Sequence, residues 1–540
     1  MPTQDATWTS PVPVTGVGAV SASGATVAAL YEDLLAGARR VTVREVPPVA
    51  GALPAGPAHR PDRDGARDVA AAHVTAPLTL PPHIDARVRR TLGRDTALLL
   101  AAAHAALTAT PAPPWVPEPG PAPRADPPGA EVPRTAAPRA TVSGAAAPRA
   151  TVSGAAAPRA DVSRGEVAKP VPDSPPPPPP APLRGADPAR IGVFTGTSHA
   201  GRGEYVAIHD RAGADAGPVN PVWGPQSSYN APGAGLSIHL GLRGPNLTLT
   251  SGAAVGLDAI ALGVQHLRSG GCDAVVAGGV DSLSAACPPP PEGAPPADTT
   301  PGGMGPWGAV PQGAASSGAA RAGAKPPPGT APVMVGPGAG SGLAAPVGEG
   351  AAVIVLTAPG GPARAPALAH VCATARAYAA EDRPGDGVPP NADAGGAPAR
   401  PDLTEAGAEA VRAALRAAGR AAHELTLAVT TAAPHTPTGV AEHAAVTAVF
   451  GPALPRLAVA GTTGTTGGAD GALAFAVAVE ALTRAAPPPP ATPGPTDPGA
   501  PTQTPAAPLA LCLGLDPDGA ATALLLAGAT PAATAEGATR

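Results

Sequence analysis

The sequence is poor in the residues that usually fill a large hydrophobic core. Only 2% of its 540 residues are aromatic, and much of its apolar content is alanine. A core must therefore be assembled largely from Ala, Val and Leu, of which alanine buries little apolar area per residue. Lysine is scarcer still, because the chain has only Lys169 and Lys325. A lysine-dependent site is therefore excluded outside the segments that contain these two residues.

Three further absences narrow the class of protein. No run of 18 apolar residues exists, and the first ten residues lack the basic and apolar regions of a signal peptide, so we expect a cytoplasmic protein without a membrane span. The net charge of -5 has no block of like charge, which argues against nucleic acid or an anionic membrane as partner. The cysteines are too widely spaced for a zinc site or a disulfide framework; they are Cys272, Cys287, Cys372 and Cys512.

Proline and glycine, by contrast, are abundant, with 78 and 68 residues. They concentrate in three biased segments, 110–188, 287–345 and 485–507, and the first of these contains a ten-residue repeat that begins AAPRA. Such segments cannot bury enough apolar surface to fold by themselves. We therefore predict disordered insertions or linkers at all three places.

Between these segments, apolar periodicity predicts alternating strands and helices in two similar sets, typical of a duplicated α/β architecture. Asp95 is predicted to cap one helix, and Asp402 with Glu405 to form a capping box for a helix that ends near residue 419. The predicted strands are Val12–Val20, Ile191–Thr195, Ala274–Val280, Leu425–Thr430, Leu457–Ala460, Leu509–Leu515 and Ala521–Ala527, with Ala351–Leu356 and Ala367–Ala373 as a strand pair. The main predicted helices are 25–37, Val255–Leu267, Glu442–Phe450 and 469–484.

The most informative stretch is Gly244–Gly279, which combines a strand, a turn of small residues, a buried helix and a further strand. A turn of this kind normally presents a nucleophile at the N-terminus of the helix, where the helix dipole favours an anion. The position that should carry the nucleophile is Ala253, and alanine has no reactive atom. The pattern predicts an acyl-transfer scaffold without its nucleophile.

Several motifs, in the same order along the chain, resemble the β-ketoacyl synthase family. They are VPVTGVGAVSASGATVAALYEDLLAGARRV, IGVFTGT, the stretch from GPNLTLTSGAAVGLDAIAL to GGVDSLS, VGEGAAVIVL, the dipeptide FG at Phe450–Gly451, and GTTGTTGGADGALAFAVAVEAL. The resemblance implies a thiolase-like fold, a duplicated five-layered αβαβα arrangement. It also implies a ketosynthase-like half over residues 1–286 and a second over residues 346–540, with segment 287–345 as an insertion between them.

The resemblance also indicates which residues should react. Family members use a cysteine to accept the acyl group, two histidines for malonyl decarboxylation and enolate stabilisation, and a lysine that supports the site. The cysteine position is Ala253, the histidine positions are Thr431 and Gly468, and the lysine position is Thr463. The last histidine of the chain is His443, so no imidazole follows near Gly468. The catalytic set is therefore expected to be missing as a whole.

The family contains members that lack the cysteine, the chain length factors of type II polyketide synthases. By resemblance, we expect a non-catalytic subunit that pairs with an active ketosynthase, or with a second copy of itself, through the strand after the elbow helix. It would shape the tunnel of an acyl chain delivered on the phosphopantetheine arm of an acyl carrier protein, without a cofactor of its own. Ala253, Ala254, Gly256 and Leu515 are the candidate tunnel residues. Chain length factors usually carry glutamine at the elbow, which Ala253 does not reproduce.

Two alternatives remain open at this point. One is an active acyltransferase with a rebuilt site that uses Ser251 or His435, and the other is a scaffold or decaying paralogue whose Pro-rich segments bind partners.

Other motifs in the sequence are weaker evidence of function. Gly16-x-Gly18-x-x-Ser21 lacks the third glycine of a dinucleotide loop, and His199, His209 and Asp210 in a predicted loop do not make a metal site.

Overall fold

The structure is a computed structural model that describes residues 10–46, 67–108, 183–215, 219–283, 347–361, 365–379, 402–484 and 507–529. The three predicted insertions, 110–188, 287–345 and 485–507, lie outside the described residues except at their ends. None of the described helices is both long and apolar enough to cross a membrane.

The first half of the fold extends to residue 357. Its elements are β1 (Val12–Val20), α1 (Val27–Leu35), β2 (Thr42–Val46), β3 (Arg67–Ala72), α2 (Ala86–Arg89), α3 (Arg94–Thr108), β4 (Ile191–Gly196), α4 (Arg202–Asp215), α5 (Trp223–Gln226), α6 (Ala231–Leu240), β5 (Asn246–Leu249), α7 (Val255–Arg268), β6 (Ala274–Asp281), β7 (Val347–Gly348) and β8 (Gly350–Thr357).

The second half begins after residue 368. Its elements are β9 (Ala369–Tyr378), α8 (Leu403–Ala418), β10 (Leu425–Thr430), α9 (Pro437–Phe450), β11 (Arg456–Ala458), α10 (Ala460–Thr463), α11 (Gly468–Arg484), β12 (Leu509–Leu515) and β13 (Ala520–Gly528). Helix α8 shows how local sequence sets these bounds. The Asp402 carboxylate accepts the N–H groups of Thr404 and Glu405 at its start, and Gly419 ends it in the left-handed region at φ +61°.

One ten-stranded sheet carries both halves, in the order β11-β10-β12-β13-β9-β1-β8-β6-β4-β5. Each half contributes five strands, and the two fives meet where Val12–Val14 of β1 pair with residues 369–371 of β9. From this junction outwards the two sequences of strands match: two antiparallel pairings are followed by two parallel ones. The duplication predicted from the sequence is therefore present in the topology. A separate small sheet has the order β2-β3-β7.

The helices form the remaining layers. Helix α3 covers β1 and β8 on the outside of the first half, and α8 covers β9 and β13 on the outside of the second. Helices α7 and α11 pack against each other between the halves, α7 on β6 and α11 on strands of both halves. The result is the predicted five-layered αβαβα arrangement, with the buried α7–α11 pair at its centre.

Glycines allow these two central helices to approach closely. A Cβ on Gly256 of α7 would lie 2.7 Å from the backbone N of Ala472 and 2.7 Å from the Gly468 carbonyl oxygen. A Cβ on Gly471 of α11 would lie 2.6 Å from the backbone N of Leu257. Only hydrogen fits at both positions, so the start of α7 is held against the start of α11. The predicted elbow lies at this contact.

The sheet topology corrects the prediction about the pairing strand. Strand β6, which follows the elbow helix, lies between β4 and β8 and pairs with both. Its backbone donors and acceptors are therefore used within the chain, and it cannot extend the sheet to a partner. The edge of the first half is instead β5, which precedes the elbow helix.

Some of the other sequence predictions are wrong and some are confirmed. The predicted strand pair is wrong, because β1 lies between β8 and β9. Asp95 does not cap α3: it lies in the first turn of that helix and accepts the N–H of Gly201. His209 and Asp210 belong to α4 rather than to a loop. Strands β1, β10 and β12 have the predicted bounds.

The close packing at the centre predicts an unequal response to two Gly→Ala changes. A Cβ at Gly279 of β6 would overlap the Gly468 carbonyl oxygen, whereas a Cβ at Gly224 meets no atom within 4 Å. Gly279→Ala should lower the free energy of unfolding by about 1–3 kcal/mol, as overpacking does. Gly224→Ala should change it by about 0.5 kcal/mol or less. Urea unfolding followed by circular dichroism measures both, and equal effects would contradict the packing described above.

Candidate functional site

The elbow forms as the sequence predicts. Strand β5 ends at Leu249, a turn follows, and α7 begins at Val255. Gly252 in this turn has φ +116°, a conformation that residues with a Cβ rarely adopt, so the turn depends on glycine. Ala253, the nucleophile position that the resemblance implies, comes next and is half-buried. The scaffold that would present a nucleophile at a helix N-terminus is therefore intact.

The first histidine position, Thr431, follows directly after β10 and is buried. Its hydroxyl donates to Glu442 Oε1 at 2.6 Å. Glu442, fully buried on α9, also accepts the N–H groups of Ala432 at 2.9 Å and Leu515 at 3.3 Å. Burial raises the pKa of Glu442 to about 7, although these hydrogen bonds act in the opposite direction. This position thus holds a neutral hydroxyl bound to a buried carboxyl group.

The second histidine position, Gly468, is the first residue of α11. Its N–H donates to Asp281 Oδ2 at 2.6 Å, and the same carboxylate accepts the N–H groups of Ser198 and His199, both at 2.8 Å. A Cβ at Gly468 would overlap the backbone of Thr197. No side chain can stand at this position without a shift of the backbone. An imidazole is therefore excluded there by the packing against Thr197.

The lysine position, Thr463, ends the short helix α10 and is fully buried. Its hydroxyl donates to the carbonyl oxygens of Val459 at 3.2 Å and Gly464 at 3.0 Å. The Thr463 hydroxyl therefore hydrogen-bonds within its own turn of the chain. Both lysines of the chain lie outside the described residues.

The structure brings three of the four positions together. Ser198 donates its hydroxyl to the Gly252 carbonyl at 3.0 Å and shares the Asp281 carboxylate with Gly468, which links the elbow to the start of α11. On the other side, a Cβ at Gly514 would lie 3.0 Å from Ala254 Cβ and 3.1 Å from Thr431 Cγ2. The positions of the nucleophile and both histidines therefore border one small region at the ends of β10 and β12.

Asp516 is the member of this region that sequence reasoning missed. It follows β12, is 1% exposed, and accepts the N–H of Ala254 on Oδ1 at 2.9 Å. Within the described structure its Oδ2 has no hydrogen-bond partner. Burial raises the pKa of Asp516 to about 6, the N–H groups of Ala254 and Ala253 lower it, and the charge of Asp258 raises it. One signal in the sequence could have indicated it: in the segment LGLDPDGA, the acidic Asp516 directly follows an apolar strand.

The residues of the alternative rebuilt site are not arranged for nucleophilic catalysis. Ser251 donates to Asp258 Oδ2 at 3.0 Å, and Arg376 binds the same oxygen at 2.8 Å. A carboxylate held by an arginine is a weak base for a serine hydroxyl. His435 is exposed in the turn before α9.

The predicted tunnel residues are more closely packed than a tunnel wall requires. Ala254 is 1% exposed beside Gly514, and Gly256 lies at the contact between α7 and α11. Leu515, the predicted gate, is fully buried in the outer core of the second half, where its Cδ2 would lie 3.2 Å from a Cβ on Gly407 of α8. Of the four, Ala253 alone is half-buried rather than buried.

Comparison with known proteins agrees with this geometry. The family "Beta-ketoacyl synthase, N-terminal domain" matches residues 179–287, which contain β4, the elbow and β6. The 3-oxoacyl-[acyl-carrier-protein] synthase 2 of Vibrio cholerae serotype O1 is 36% identical over 98 residues, which are 18% of this chain. The enzyme of the same name from Vibrio harveyi is 35% identical over 98 residues. The match spans 23% of the length of either curated relative.

Solved structures extend the likeness of fold beyond residues 179–287. The ishigamide ketosynthase/chain length factor matches with a TM-score of 0.53 at 18% identity, over 96% of this chain and 100% of that one. The ketosynthase ApeO in complex with its chain length factor ApeC, from Xenorhabdus doucetiae, matches with a TM-score of 0.54 at 17% identity, over 96% and 98%. A β-ketoacyl synthase from Burkholderia phymatum matches with a TM-score of 0.55 at 17% identity, over 96% and 100%. Residues 179–287 therefore match the N-terminal domain of the β-ketoacyl synthases, and the chain has the thiolase-like fold of these solved structures.

Proposed function

We propose that this chain is a catalytically silent, ketosynthase-like subunit of fatty acid or polyketide biosynthesis, which pairs with an active ketosynthase and helps to shape the acyl tunnel. One observation carries the proposal: the elbow scaffold is intact, while the positions that the resemblance assigns to the reactive residues hold Ala253, Thr431, Thr463 and Gly468. Loss of one group leaves room for a rebuilt site, but loss of all four removes the nucleophile together with every group that assists it.

The local packing supports a lack of catalytic activity at three of these positions separately. The methyl group of Ala253 cannot attack a thioester, and the Thr431 hydroxyl is committed to Glu442. Gly468 has no space for a side chain. Condensation and malonyl decarboxylation both need groups that stabilise developing negative charge, and this region presents buried carboxyl groups instead.

The comparisons support a role in a complex. Two of the similar solved structures pair a ketosynthase with a chain length factor, and a third has a type II polyketide synthase acyl carrier protein in complex with its ketosynthase. We therefore expect an active ketosynthase as partner and an acyl carrier protein as the source of the acyl chain. The phosphopantetheine arm of that carrier would supply the substrate, and the chain would need no cofactor of its own.

Strand β5 is the surface that we assign to the pairing. Val193 N–H donates to the Pro245 carbonyl, and Thr197 N–H donates to the Leu249 carbonyl, so these β5-side carbonyls face β4. Since strand groups alternate, the backbone N–H and C=O of Asn246 and Thr248 face the free edge. Leu247 is 41% exposed beside them. A strand of the partner can therefore hydrogen-bond to β5 and continue the sheet.

Removing one outward donor should weaken the complex. Thr248→Pro deletes the N–H of Thr248 without removing a bond to β4, whereas Thr248→Val deletes only the hydroxyl that contacts Thr195 Oγ1 at 3.1 Å. After co-expression with the ketosynthase encoded nearest to this chain, we expect co-purification with the unchanged chain and with Thr248→Val, and much less with Thr248→Pro. Size-exclusion chromatography with light scattering gives the masses.

Three outcomes of this experiment would count against the proposal. The partner role fails if no complex forms and deletion of the chain leaves the product length unchanged. Equal complex formation by Thr248→Pro and Thr248→Val would exclude β5 as the pairing edge. A homodimer of the unchanged chain that persists in the presence of the ketosynthase would replace the heterodimer.

The buried carboxyl groups predict an unusual dependence of stability on pH. Burial raises the pKa of Asp516 to about 6, of Glu442 and Asp95 to about 7, and of Asp470 to about 8. Because these groups ionise near pH 4 in the unfolded chain, the folded protein binds more protons between pH 4 and 8. The stabilisation that these groups contribute to the fold is therefore fully present below about pH 4 and is lost as the pH rises to 8. Glu349, whose pKa is about 2, acts in the opposite sense only below about pH 4.5.

We expect a lower free energy of unfolding at pH 8 than at pH 5, measured by urea denaturation in steps of one pH unit. Asp470→Asn provides the matched variant, since Asp470 Oδ1 alone accepts the N–H and hydroxyl of Thr466, at 3.0 and 2.6 Å, and an amide oxygen can accept both. This variant should flatten the pH dependence. A free energy of unfolding that increases from pH 5 to pH 8 would contradict the assigned pKa directions.

A further inference from the structure

Asp516 occupies a place that an outside anion would normally take. Helix α7 has 14 residues, and the N–H of Ala254 at its start donates to Asp516 Oδ1 at 2.9 Å. The Asp516 side chain is almost completely buried, and its Oδ2 has no hydrogen-bond partner within the described structure. A Cβ on Gly252 would lie 2.5 Å from Oδ1, so the turn of the elbow closes directly over the carboxylate.

The backbone around Asp516 holds the carboxylate in this position. Its N–H donates to the Ala520 carbonyl at 2.8 Å, and its carbonyl accepts the N–H of Gly519 at 2.9 Å, which makes a tight turn between β12 and β13. Gly519 has φ +98°, so this turn also depends on glycine. The Asp516 carboxylate is thus positioned by a hydrogen-bonded turn.

The charged groups that face Asp516 do not neutralise it directly. Burial raises the pKa of Asp516, the charge of Asp258 on α7 raises it further, and the charge of Arg376 on β9 lowers it. Arg376 forms its own ion pair with Asp258 at 2.8 Å. With a pKa of about 6, Asp516 is mostly ionised at pH 7 and above. A negative charge at the N-terminus of a helix is stabilised by the helix dipole and the free N–H groups.

We propose that the elbow of this chain is an anion-binding site whose ligand is the chain's own Asp516 carboxylate. The carboxylate takes the N–H groups that would otherwise face a thiolate or the oxygen of an acyl thioester. The elbow is therefore closed to an acyl group by charge as well as by the absence of a nucleophile. This inference concerns the free chain and holds whether or not the chain pairs with a ketosynthase.

A thiol placed at the elbow reports on this charge. In the full-length variant Ala253→Cys, a helix N-terminus without a nearby anion would lower the pKa of the introduced thiol below the ordinary value of about 8.5. Beside the Asp516 carboxylate, the thiol pKa should instead lie above that value, because a like charge disfavours the thiolate. The rate of alkylation by iodoacetamide between pH 6 and 10 gives this pKa, with the modified peptide identified by mass spectrometry so that native cysteines do not interfere.

The double variant Ala253→Cys/Asp516→Asn should lower the thiol pKa by about one unit and speed alkylation at pH 7 about tenfold. The matched control is Ala253→Cys/Asp518→Asn, because Asp518 lies in the same turn and is exposed; it should leave the rate of the single variant unchanged. Equal thiol pKa values with Asp516 and with Asn would overturn the proposal. Should Asp516→Asn fail to fold, the single variant still decides, since a thiol pKa below about 7 excludes a carboxylate ligand at the elbow.

Discussion

The close crossing of α7 and α11 is the constraint on which the rest of the structure depends. Gly256 and Gly471 let the two helices meet with only hydrogen atoms between the backbones, and Gly279 lets β6 approach the same place. The crossing joins the two halves and brings the elbow next to the start of α11. Next to it, the backbone of Thr197 leaves no space for a side chain at Gly468, where the resemblance implies a histidine. Close packing around the start of α11 therefore excludes a side chain at Gly468.

Around that crossing, charge has a different role from the one it has in a condensing enzyme. The family's site relies on a thiolate, imidazoles and a lysine, whereas this chain has the carboxyl groups of Asp281, Asp470, Glu442 and Asp516. Each accepts backbone N–H or hydroxyl donors from the ends of neighbouring elements. These groups hold loops together, and burial raises their pKa values. In this structure the region around the elbow is therefore a junction of hydrogen-bonded loops.

Much of this architecture could be predicted from the sequence because it depends on local apolar patterns. Leu425–Thr430 and Leu509–Leu515 are short apolar runs bounded by polar or turn residues, and their bounds were predicted correctly. Pairing between distant segments could not be predicted, since periodicity does not show that β1 separates β8 from β9 or that β6 is flanked on both sides. Asp516 was missed for a related reason: its partner, Ala254, lies 262 residues away, and nothing in its own neighbourhood indicates that contact. Family resemblance gave the positions at which reactive residues were expected, but only the structure shows that Gly468 has no space for a side chain.

The most direct test of a silent subunit is the intact mass of each chain after the ketosynthase pair has been incubated with acylated carrier protein. The account predicts an acyl adduct on the ketosynthase and an unchanged mass for this chain. An acyl adduct on this chain that disappears in the Ser251→Ala variant would contradict it, because the elbow would then carry a nucleophile after all.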